Sequence, residues 1–219
     1  MGKFVCLEGI DGSGKTTLTT MVAERLCKAG FSCCCISKKS TEFGSPYISN
    51  IMRNFKKILW NEGVGNPVYE VTDHGWLFFH AAWYTIMSQN LIPELLAEFD
   101  YVIIDGWFYK IMCRFMAKEE FDKELLEKVF CHLPKGDIVI MLDVQPDICY
   151  QRKQCFNDAE IGENEHFEGT VKERFVNYQN NVREQYLSVA KNNHWHVVVP
   201  VDNAPEFTVS QIVDMVLRH

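Results

Sequence analysis

Residues 9–16, GIDGSGKT, constrain the fold of this chain more than any other stretch. They have the form G-x-x-x-x-G-K-[ST] of a phosphate-binding P-loop. Residues 3–7 before the loop are a short apolar run typical of a buried strand, and residues 17–29 after it have the apolar spacing of a helix. A loop that leads from a strand into a helix N-terminus favours a bound anion. The chain is therefore expected to fold around this strand–loop–helix unit.

The residue types of the loop indicate which anion it binds. Its three glycines let the backbone approach a phosphate with no Cβ in the way, so that successive N–H groups point inward. Lys15 supplies a charge for the β- and γ-phosphates of ATP, and the Thr16 hydroxyl is placed to bind Mg²⁺. The predicted contacts to the ATP phosphates are Gly9, Asp11, Gly12, Ser13, Gly14, Lys15, Thr16 and Thr17.

The overall charge argues against one broad class of partner. The 219 residues include 22 Lys and Arg against 29 Asp and Glu, a net charge of −7. An acidic chain is not expected to bind a nucleic acid polymer through its general field. A phosphorylated small molecule must therefore be held by positive groups that the fold gathers locally.

The hydropathy pattern predicts neither a membrane span nor a leader peptide. No apolar run approaches 18 residues, and the N-terminus leads directly into the first strand. Cleavage of a leader peptide would remove the P-loop itself. We therefore expect no membrane partner and a cytoplasmic location.

The nine cysteines match no known framework of metal or disulfide sites. Their number is odd, and their spacing fits neither a zinc site nor a set of disulfides. We expect reduced, buried thiols that pack as small apolar side chains.

Five short apolar runs, separated by helical stretches, predict the strands of a parallel sheet covered by helices on both faces. They are residues 3–8, 31–37, 101–105, 137–143 and 196–202. Phosphate sites in such α/β folds lie at the carboxyl ends of the strands, where the P-loop falls. The sequence contains no linker or internal repeat, so one domain over residues 1–219 is expected.

Two segments depart from the simple alternation of strands and helices. A long insertion after the second strand has a Gly/Asn/Pro-rich loop at residues 61–67 and a helical pattern over residues 72–98, which Pro93 should kink or restart. The polar, acidic residues 157–165 resemble a surface lid, whose limits we set at about 153–166.

An aspartate follows the third and the fourth apolar run. Asp105 is expected to face the phosphates and hold Mg²⁺ or its waters, with capping of the next helix as the alternative. Gly106 and Trp107 then open a turn toward the acceptor region. For Asp143, capping of the helix after Pro146 is the favoured role.

Nearly the whole chain resembles the thymidylate kinases and the nucleoside monophosphate kinases near them. The stretches that carry the resemblance are residues 4–17, 40–44, 77–79, 91–96, 142–144 with Arg152, and 182–187. The resemblance implies a three-layer P-loop kinase fold with a short lid. It also implies transfer of the γ-phosphoryl group of Mg-ATP to a small-molecule acceptor, and a homodimer formed through helix packing.

The resemblance implies a role for each matching residue. Lys15, Asp105 and Arg152 are the expected catalytic residues, with Arg152 bringing charge to the transferring phosphoryl group, and Thr16 and Asp105 are the expected metal ligands. Phe79 matches the ring that stacks on the acceptor base. The expected acceptor-binding residues are Glu8, Lys39, Phe79, Trp83 and Trp107.

Three acceptor-side positions differ from the family pattern. Gly106 stands where the family has an arginine for the acceptor phosphate, and Trp83 where an arginine reads the thymine edge. Lys39 replaces a third arginine, which keeps the charge but loses the bidentate fork. Restoring arginine at Gly106 and Trp83 is therefore expected to raise activity on dTMP.

Three functions remain open at this point. The first is a kinase for dTMP or a related nucleoside monophosphate. The second is a kinase for a neutral nucleoside or another small hydroxyl compound, which the changes at Gly106 and Trp83 favour. The third is a nucleotide-dependent switch without turnover, although the Asn-Lys-x-Asp motif of guanine recognition is missing from the sequence.

Overall fold

A five-stranded parallel sheet forms the centre of the computed structural model, which describes residues 1–60, 70–162, 165 and 167–219. The strands are β1 (Lys3–Glu8), β2 (Cys33–Ser37), β3 (Tyr101–Asp105), β4 (Ile138–Leu142) and β5 (His196–Val198). Their order is β2-β3-β1-β4-β5, and all neighbours are parallel. The predicted α/β fold with a five-stranded parallel sheet is confirmed.

The helices connect these strands and cover the sheet. They are α1 (Lys15–Lys28), α2 (Pro46–Trp60), α3 (Asp73–Asn90), α4 (Ile92–Glu98), α5 (Tyr109–Met116), α6 (Lys123–Phe130), α7 (Pro146–Gln151), α8 (Asp158–Ile161), α9 (Val171–Asn192) and α10 (Pro205–Arg218). The restart predicted at Pro93 is confirmed, because this proline lies in the first turn of α4, directly after α3 has ended.

Each face of the sheet packs against its own set of helices. On one face, alternate residues of β1 such as Val5 and Leu7 pack against apolar side chains of α1 and α10. On the other face, Phe4 and Cys6 belong to a larger core with side chains from α3, α5 and α9. Successive strand residues point to opposite faces, so a strand buried on both sides reads as a continuous apolar run. The predicted covering of both faces is thus confirmed.

The register of the central strand sets the position of the P-loop. Leu7 of β1 pairs with Asp105 of β3, and Glu8 pairs with Met141 of β4. The carboxyl ends of these three strands therefore meet at one edge of the sheet. The P-loop leaves β1 at this edge, as expected for an α/β nucleotide-binding fold.

The two outer strands are shorter than the sequence predicts. Strand β2 begins at Cys33, two residues after the predicted start, and β5 ends at Val198, four residues before the predicted end. Each of them pairs with only one neighbour in the described sheet. The pairing of β5 with β4 ends at Val198. Val199 and Val201 follow it and are exposed, although they are apolar.

The predicted lid contains local structure. Asn157 and Glu160 form a capping box at the start of the four-residue helix α8. The two capping contacts satisfy backbone N–H groups that a short helix would otherwise leave unpaired. Residues 163, 164 and 166 of the predicted lid, and the predicted loop at residues 61–67, lie outside the described residues.

The cysteines are free thiols, but they are less buried than expected. All nine lie among the described residues, and none forms a disulfide. Cys6, Cys113 and Cys149 are buried, and Cys33 and Cys34 are partly exposed. The expectation of burial is wrong for the four exposed thiols, Cys27, Cys35, Cys131 and Cys155. Cys27 lies in the last turn of α1 and Cys131 directly follows α6, and neither belongs to the buried residues of its helix. No helix in the described ranges has the length and apolar character needed to cross a bilayer.

Candidate active site

Lys15 lies inside the P-loop at the first position of α1. Its ammonium donates hydrogen bonds to the carbonyl oxygens of Gly9 at 2.9 Å and Ile10 at 2.7 Å, and to the Ser13 hydroxyl at 3.3 Å. The side chain is only 8% exposed. The loop therefore holds a positive charge at the end of the central strand, where the N-terminus of α1 adds its own partial positive charge.

Gly12 allows the loop to lie close to the neighbouring helix α7. Its φ angle is +83°, which L side chains rarely adopt. A Cβ at this position would stand 2.8 Å from the carbonyl oxygen of Cys149. The close contact and the left-handed backbone both require glycine.

Thr16 and Asp105 bring two oxygen atoms together at the mouth of the loop. The Thr16 hydroxyl donates a hydrogen bond to Asp105 Oδ2 over 2.5 Å. Hydroxyl and carboxylate oxygens are the donors that Mg²⁺ prefers, so the residues present fit this metal. Asp105 does not cap the next helix, because the N-cap residue of α5 within the described chain is Phe108, which makes no side-chain capping bond.

A cleft of about 600 Å³ opens above the loop. Six of its lining residues are lysine or arginine, namely Lys15, Lys38, Lys39, Lys110, Arg152 and Lys153. Its two acidic lining residues are Asp11 and Asp105. The fold thus concentrates positive charge in one cleft of an acidic chain, as binding of a polyphosphate requires.

Asp11 anchors a cluster of charges between the loop and α5. Its carboxylate accepts hydrogen bonds from the Lys110 ammonium and, over 2.8 Å, from the Arg114 guanidinium. Gln179 of α9 accepts a hydrogen bond from the Asp11 backbone N–H over 3.3 Å. Burial by itself would raise the pKa of Asp11, but Lys110 and Arg114 outweigh it and hold this pKa well below its usual range. Asp11 is therefore ionised at neutral pH.

No sequence motif points to Lys110 and Arg114 as residues of this site. They lie four residues apart and so share one face of α5. The four-residue spacing of these two cations in the helix after Asp105 is the one sequence signal that could have pointed to them. It could not indicate that the shared face is turned toward Asp11.

Glu8 is fully buried at the end of β1. One carboxylate oxygen accepts a hydrogen bond from the Trp107 backbone N–H at 2.5 Å, and the other accepts one from the Tyr186 hydroxyl at 2.6 Å. Burial raises the pKa of Glu8 despite these two bonds. The structure therefore gives Glu8 the role of joining the turn after β3 to α9.

The two tryptophans that were expected to contact the acceptor, Trp83 and Trp107, are instead packed in the core. Trp83 and Trp107 are both 0% exposed. The indole N–H of Trp83 donates to the Lys38 carbonyl over 2.8 Å, and that of Trp107 donates to the Pro134 carbonyl over 3.0 Å. Burial of the large apolar rings favours the core position, and these two bonds satisfy the indole N–H groups there. Neither side chain is accessible to an acceptor in this structure.

Phe79 retains a partly exposed ring on α3. It packs edge-to-face against Trp76 and Phe55, with ring centroids 6.0 Å apart in each case. Lys39 is exposed, and its ammonium lies 5.2 Å from the centre of the Trp60 ring. These two predicted acceptor residues remain accessible.

Arg152 and Asp143 both pair with partners that the sequence did not indicate. Arg152 lines the cleft, but its guanidinium contacts Asp202. Asp143 accepts hydrogen bonds from Arg183 at 2.5 Å and 2.9 Å. The expectation that Asp143 caps the helix after Pro146 is wrong, since the N-cap residue of α7 is Gln145.

Comparison with known proteins identifies the family. The family model described as thymidylate kinase matches residues 7–212. The chain belongs to the thymidylate kinase family. It is 28% identical over 208 residues to a probable thymidylate kinase of Sulfurisphaera tokodaii, which covers 95% of this chain and 93% of that protein. A probable thymidylate kinase of Methanothermobacter thermautotrophicus is 29% identical over 195 residues, with coverage of 89% and 84%.

A solved thymidylate kinase has the same fold. The enzyme from Candida albicans superimposes with a TM-score of 0.68 at 18% sequence identity, covering 99% of this chain and 92% of that one. Membership of the thymidylate kinase family indicates an ATP-dependent phosphotransferase, with ATP as the donor and usually Mg²⁺. Family and fold together support a nucleoside monophosphate kinase.

Proposed function

We propose that this member of the thymidylate kinase family transfers the γ-phosphoryl group of Mg-ATP to dTMP or a related nucleoside monophosphate. The observation that carries the proposal is the cationic cleft, in which the P-loop and the Thr16–Asp105 pair face lysines from other segments. Phosphoryl transfer needs little covalent chemistry from a protein, because positioning and charge neutralisation do most of the work.

On the donor side, the loop backbone and Lys15 would hold the β- and γ-phosphates. Each charge-assisted hydrogen bond of this kind contributes about 1.5–3 kcal/mol. Thr16 and Asp105 would hold Mg²⁺, which neutralises charge on the phosphates when it is bound. Arg152 lines the same cleft and would reach the phosphates after release from Asp202.

On the acceptor side, Phe79 offers a ring on which a base can stack, and Lys39 offers a flexible point charge. Asp11 is kept ionised by Lys110 and Arg114, so its fixed carboxylate is an acceptor for a sugar hydroxyl. Glu8 supports this side indirectly by holding the turn that follows Asp105.

The acceptor base is best tested with a panel of compounds. The Candida albicans thymidylate kinase is described as having broad substrate specificity. Neither position 83 nor position 106 of this chain is an arginine. The rate on dTMP should therefore be compared directly with the rates on monophosphates of other bases. The panel therefore contains the common nucleoside monophosphates, the corresponding nucleosides and simple sugars.

Phosphorus NMR of Mg-ATP with each compound tests the proposal. A nucleoside monophosphate should give ADP together with a new diphosphate, recognised by coupling between its two phosphorus nuclei. A new phosphomonoester from a nucleoside or a sugar would instead support the alternative of a neutral acceptor. Release of inorganic phosphate alone, with every compound, would contradict both.

A further inference from the structure

We propose that Lys38 binds the phosphate group of the acceptor, in the place of the arginine side chain that Gly106 lacks. This inference rests on the proposed function and assigns a residue to it. Lys38 directly precedes Lys39 in the turn after β2, and both line the cleft. Three independent features of the structure converge on the Lys38 side chain.

The first feature is the space beside Gly106. A Cβ built on this glycine would stand 3.5 Å from Lys38 Nζ and 3.6 Å from Lys38 Cδ. Among the described residues, no other atom beyond the immediate chain neighbours lies within 4 Å of that point. The Lys38 side chain therefore fills the space into which a side chain at position 106 would extend.

The second feature is the hydrogen bond that fixes the backbone of Lys38. The indole N–H of Trp83 donates to the Lys38 carbonyl over 2.8 Å, and Trp83 is fully buried. A buried donor of this kind holds its partner firmly, since breaking the bond would leave a polar group unpaired. Both positions at which the family pattern has an arginine therefore affect Lys38. Gly106 leaves space for the Lys38 side chain, and Trp83 fixes the Lys38 backbone.

The third feature is an unpaired charge. Lys38 is partly buried, and within the part of the chain that the structure describes its ammonium makes no hydrogen bond or ion pair. After burial, its strongest electrostatic influence is repulsion from Lys15, and both effects lower the pKa of Lys38. The carboxylates that favour its charge, such as Asp11 and Asp105, already have other partners. An anion between Lys38 and Lys15 would relieve this repulsion.

The geometry indicates which anion this is. Lys15 belongs to the P-loop and serves the phosphates of the donor, whereas Lys38 reaches the cleft from the turn after β2. Two phosphates that react with each other must approach closely, and their repulsion must be neutralised from both sides. Lys38 is placed to supply the positive charge on the acceptor side. Its ammonium acts as a point charge, without the bidentate fork of arginine.

The test compares Lys38→Met and Lys38→Arg with the wild type in steady-state kinetics. The acceptor is the nucleoside monophosphate that the wild type uses best, and acceptor and ATP are varied separately. Lys38→Met should raise the KM for the acceptor about tenfold to a hundredfold, the range expected for a lost charge-assisted hydrogen bond. The KM for ATP should change less than twofold. Lys38→Arg should recover part of the acceptor affinity because it restores the charge.

Calorimetric binding of the monophosphate in the absence of ATP gives an independent readout. Its affinity should fall in Lys38→Met, while binding of the matching nucleoside should be unchanged. Lys57→Met is the matched control, because Lys57 is an exposed lysine on α2. Lys57→Met removes one positive charge, as Lys38→Met does, and should leave the KM for the acceptor and the KM for ATP unchanged. Thermal unfolding checks that each variant is folded, and Lys38→Gln replaces Lys38→Met if the latter is unstable.

The outcomes separate this inference from the proposed function. If the wild type phosphorylates monophosphates and Lys38→Met keeps its acceptor KM within twofold, Lys38 does not bind the acceptor phosphate and the proposed function stands. If the wild type phosphorylates no monophosphate, the proposed function is wrong and this inference is wrong with it. Equal losses of monophosphate and nucleoside binding in Lys38→Met would also overturn it, since they would indicate a general disturbance of the site.

Discussion

The Thr16 hydroxyl and the Asp105 carboxylate are 2.5 Å apart, although 89 positions separate them in the sequence. The pairing of β1 with β3 brings them together, because it aligns Leu7, at the entrance to the P-loop, with Asp105 at the end of β3. The two residues proposed to hold Mg²⁺ and the P-loop therefore share one support, the carboxyl edge of the sheet.

This relationship predicts the effect of Asp105→Asn. The substitution keeps an oxygen near Thr16 but removes the negative charge that favours Mg²⁺. We expect a higher Mg²⁺ concentration for half-maximal activity and a fall in kcat of roughly 100-fold. The measurement is a magnesium titration of the rate at saturating ATP. Glu127→Gln, an exposed acid on α6, is the control and should titrate like the wild type. An unchanged magnesium dependence in Asp105→Asn would contradict the metal assignment.

Lys15→Ala is predicted to abolish turnover of ATP while leaving the fold intact. The Lys15 ammonium contacts only groups of the loop itself among the described residues, so its removal affects charge in the cleft more than packing of the core. We expect a loss of at least about 100-fold in kcat/KM. A coupled assay of ADP release measures the turnover, and a circular dichroism spectrum checks that the fold is intact. Retained turnover with a normal spectrum would refute the role of the loop.

The structure changes the expectation for arginine at Gly106. This glycine has a φ of +78°, so any L side chain there carries backbone strain of about 1–3 kcal/mol. A long side chain would also have to displace Lys38. We therefore expect Gly106→Arg to lower the free energy of unfolding and to give no gain of activity on dTMP.

Gly106→Ala separates the two effects at this position. Alanine introduces the backbone strain, while its Cβ would make only an ordinary contact with Lys38. Urea unfolding should give similar losses of stability for both variants, and the acceptor KM should rise in Gly106→Arg alone. A Gly106→Arg variant with full stability and higher dTMP activity would show that Lys38 and arginine do not compete for one space.

His80 is predicted to make the stability depend on pH. Burial lowers the pKa of its imidazole to about 3, with Arg114, Lys38 and Lys110 adding to the effect. Since the unfolded chain takes up this proton near pH 6.5, it binds more protons than the folded chain between pH 6.5 and 3. Stability should therefore fall as the pH is lowered through this window.

His80→Phe tests the contribution of this one residue, because it keeps a ring and cannot be protonated. Urea unfolding of both proteins at pH 7 and pH 5 gives the comparison. We expect the wild type to lose on the order of 1 kcal/mol more than the variant between these two pH values. Equal losses in the two proteins would indicate that the imidazole is not the responsible group.

The sequence predicts the parts of this molecule that local patterns determine. The P-loop, the central strands and Asp105 follow from contiguous residues, and the structure has them where they were expected. The contact of Trp83 with Lys38, and that of Lys110 with Asp11, joins segments that are distant in the chain. Such contacts depend on how helices are rotated against the sheet, which apolar spacing leaves undetermined. For this reason the sequence located the P-loop and Asp105 but not the partners of Lys38 and Asp11.

Asp11→Asn is expected to be the most destabilising of the charge substitutions. The carboxylate lies between two largely buried cations, Lys110 and Arg114, and its side chain is 12% exposed. Removing one partner of a buried charge network typically costs about 3–5 kcal/mol, because the remaining charges stay uncompensated. Urea unfolding at pH 7 measures this loss.

Two further variants test whether the loss comes from uncompensated charge. Lys110→Met leaves one cation paired with Asp11, so it should destabilise the protein less than Asp11→Asn does. Glu124→Gln removes an exposed partner of Lys128 on α6 and should cost about 0.3–0.5 kcal/mol. If Asp11→Asn costs no more than Glu124→Gln, the cluster around Asp11 is not an electrostatic unit. In that case Lys110 and Arg114 would have to be held by their packing in α5 alone.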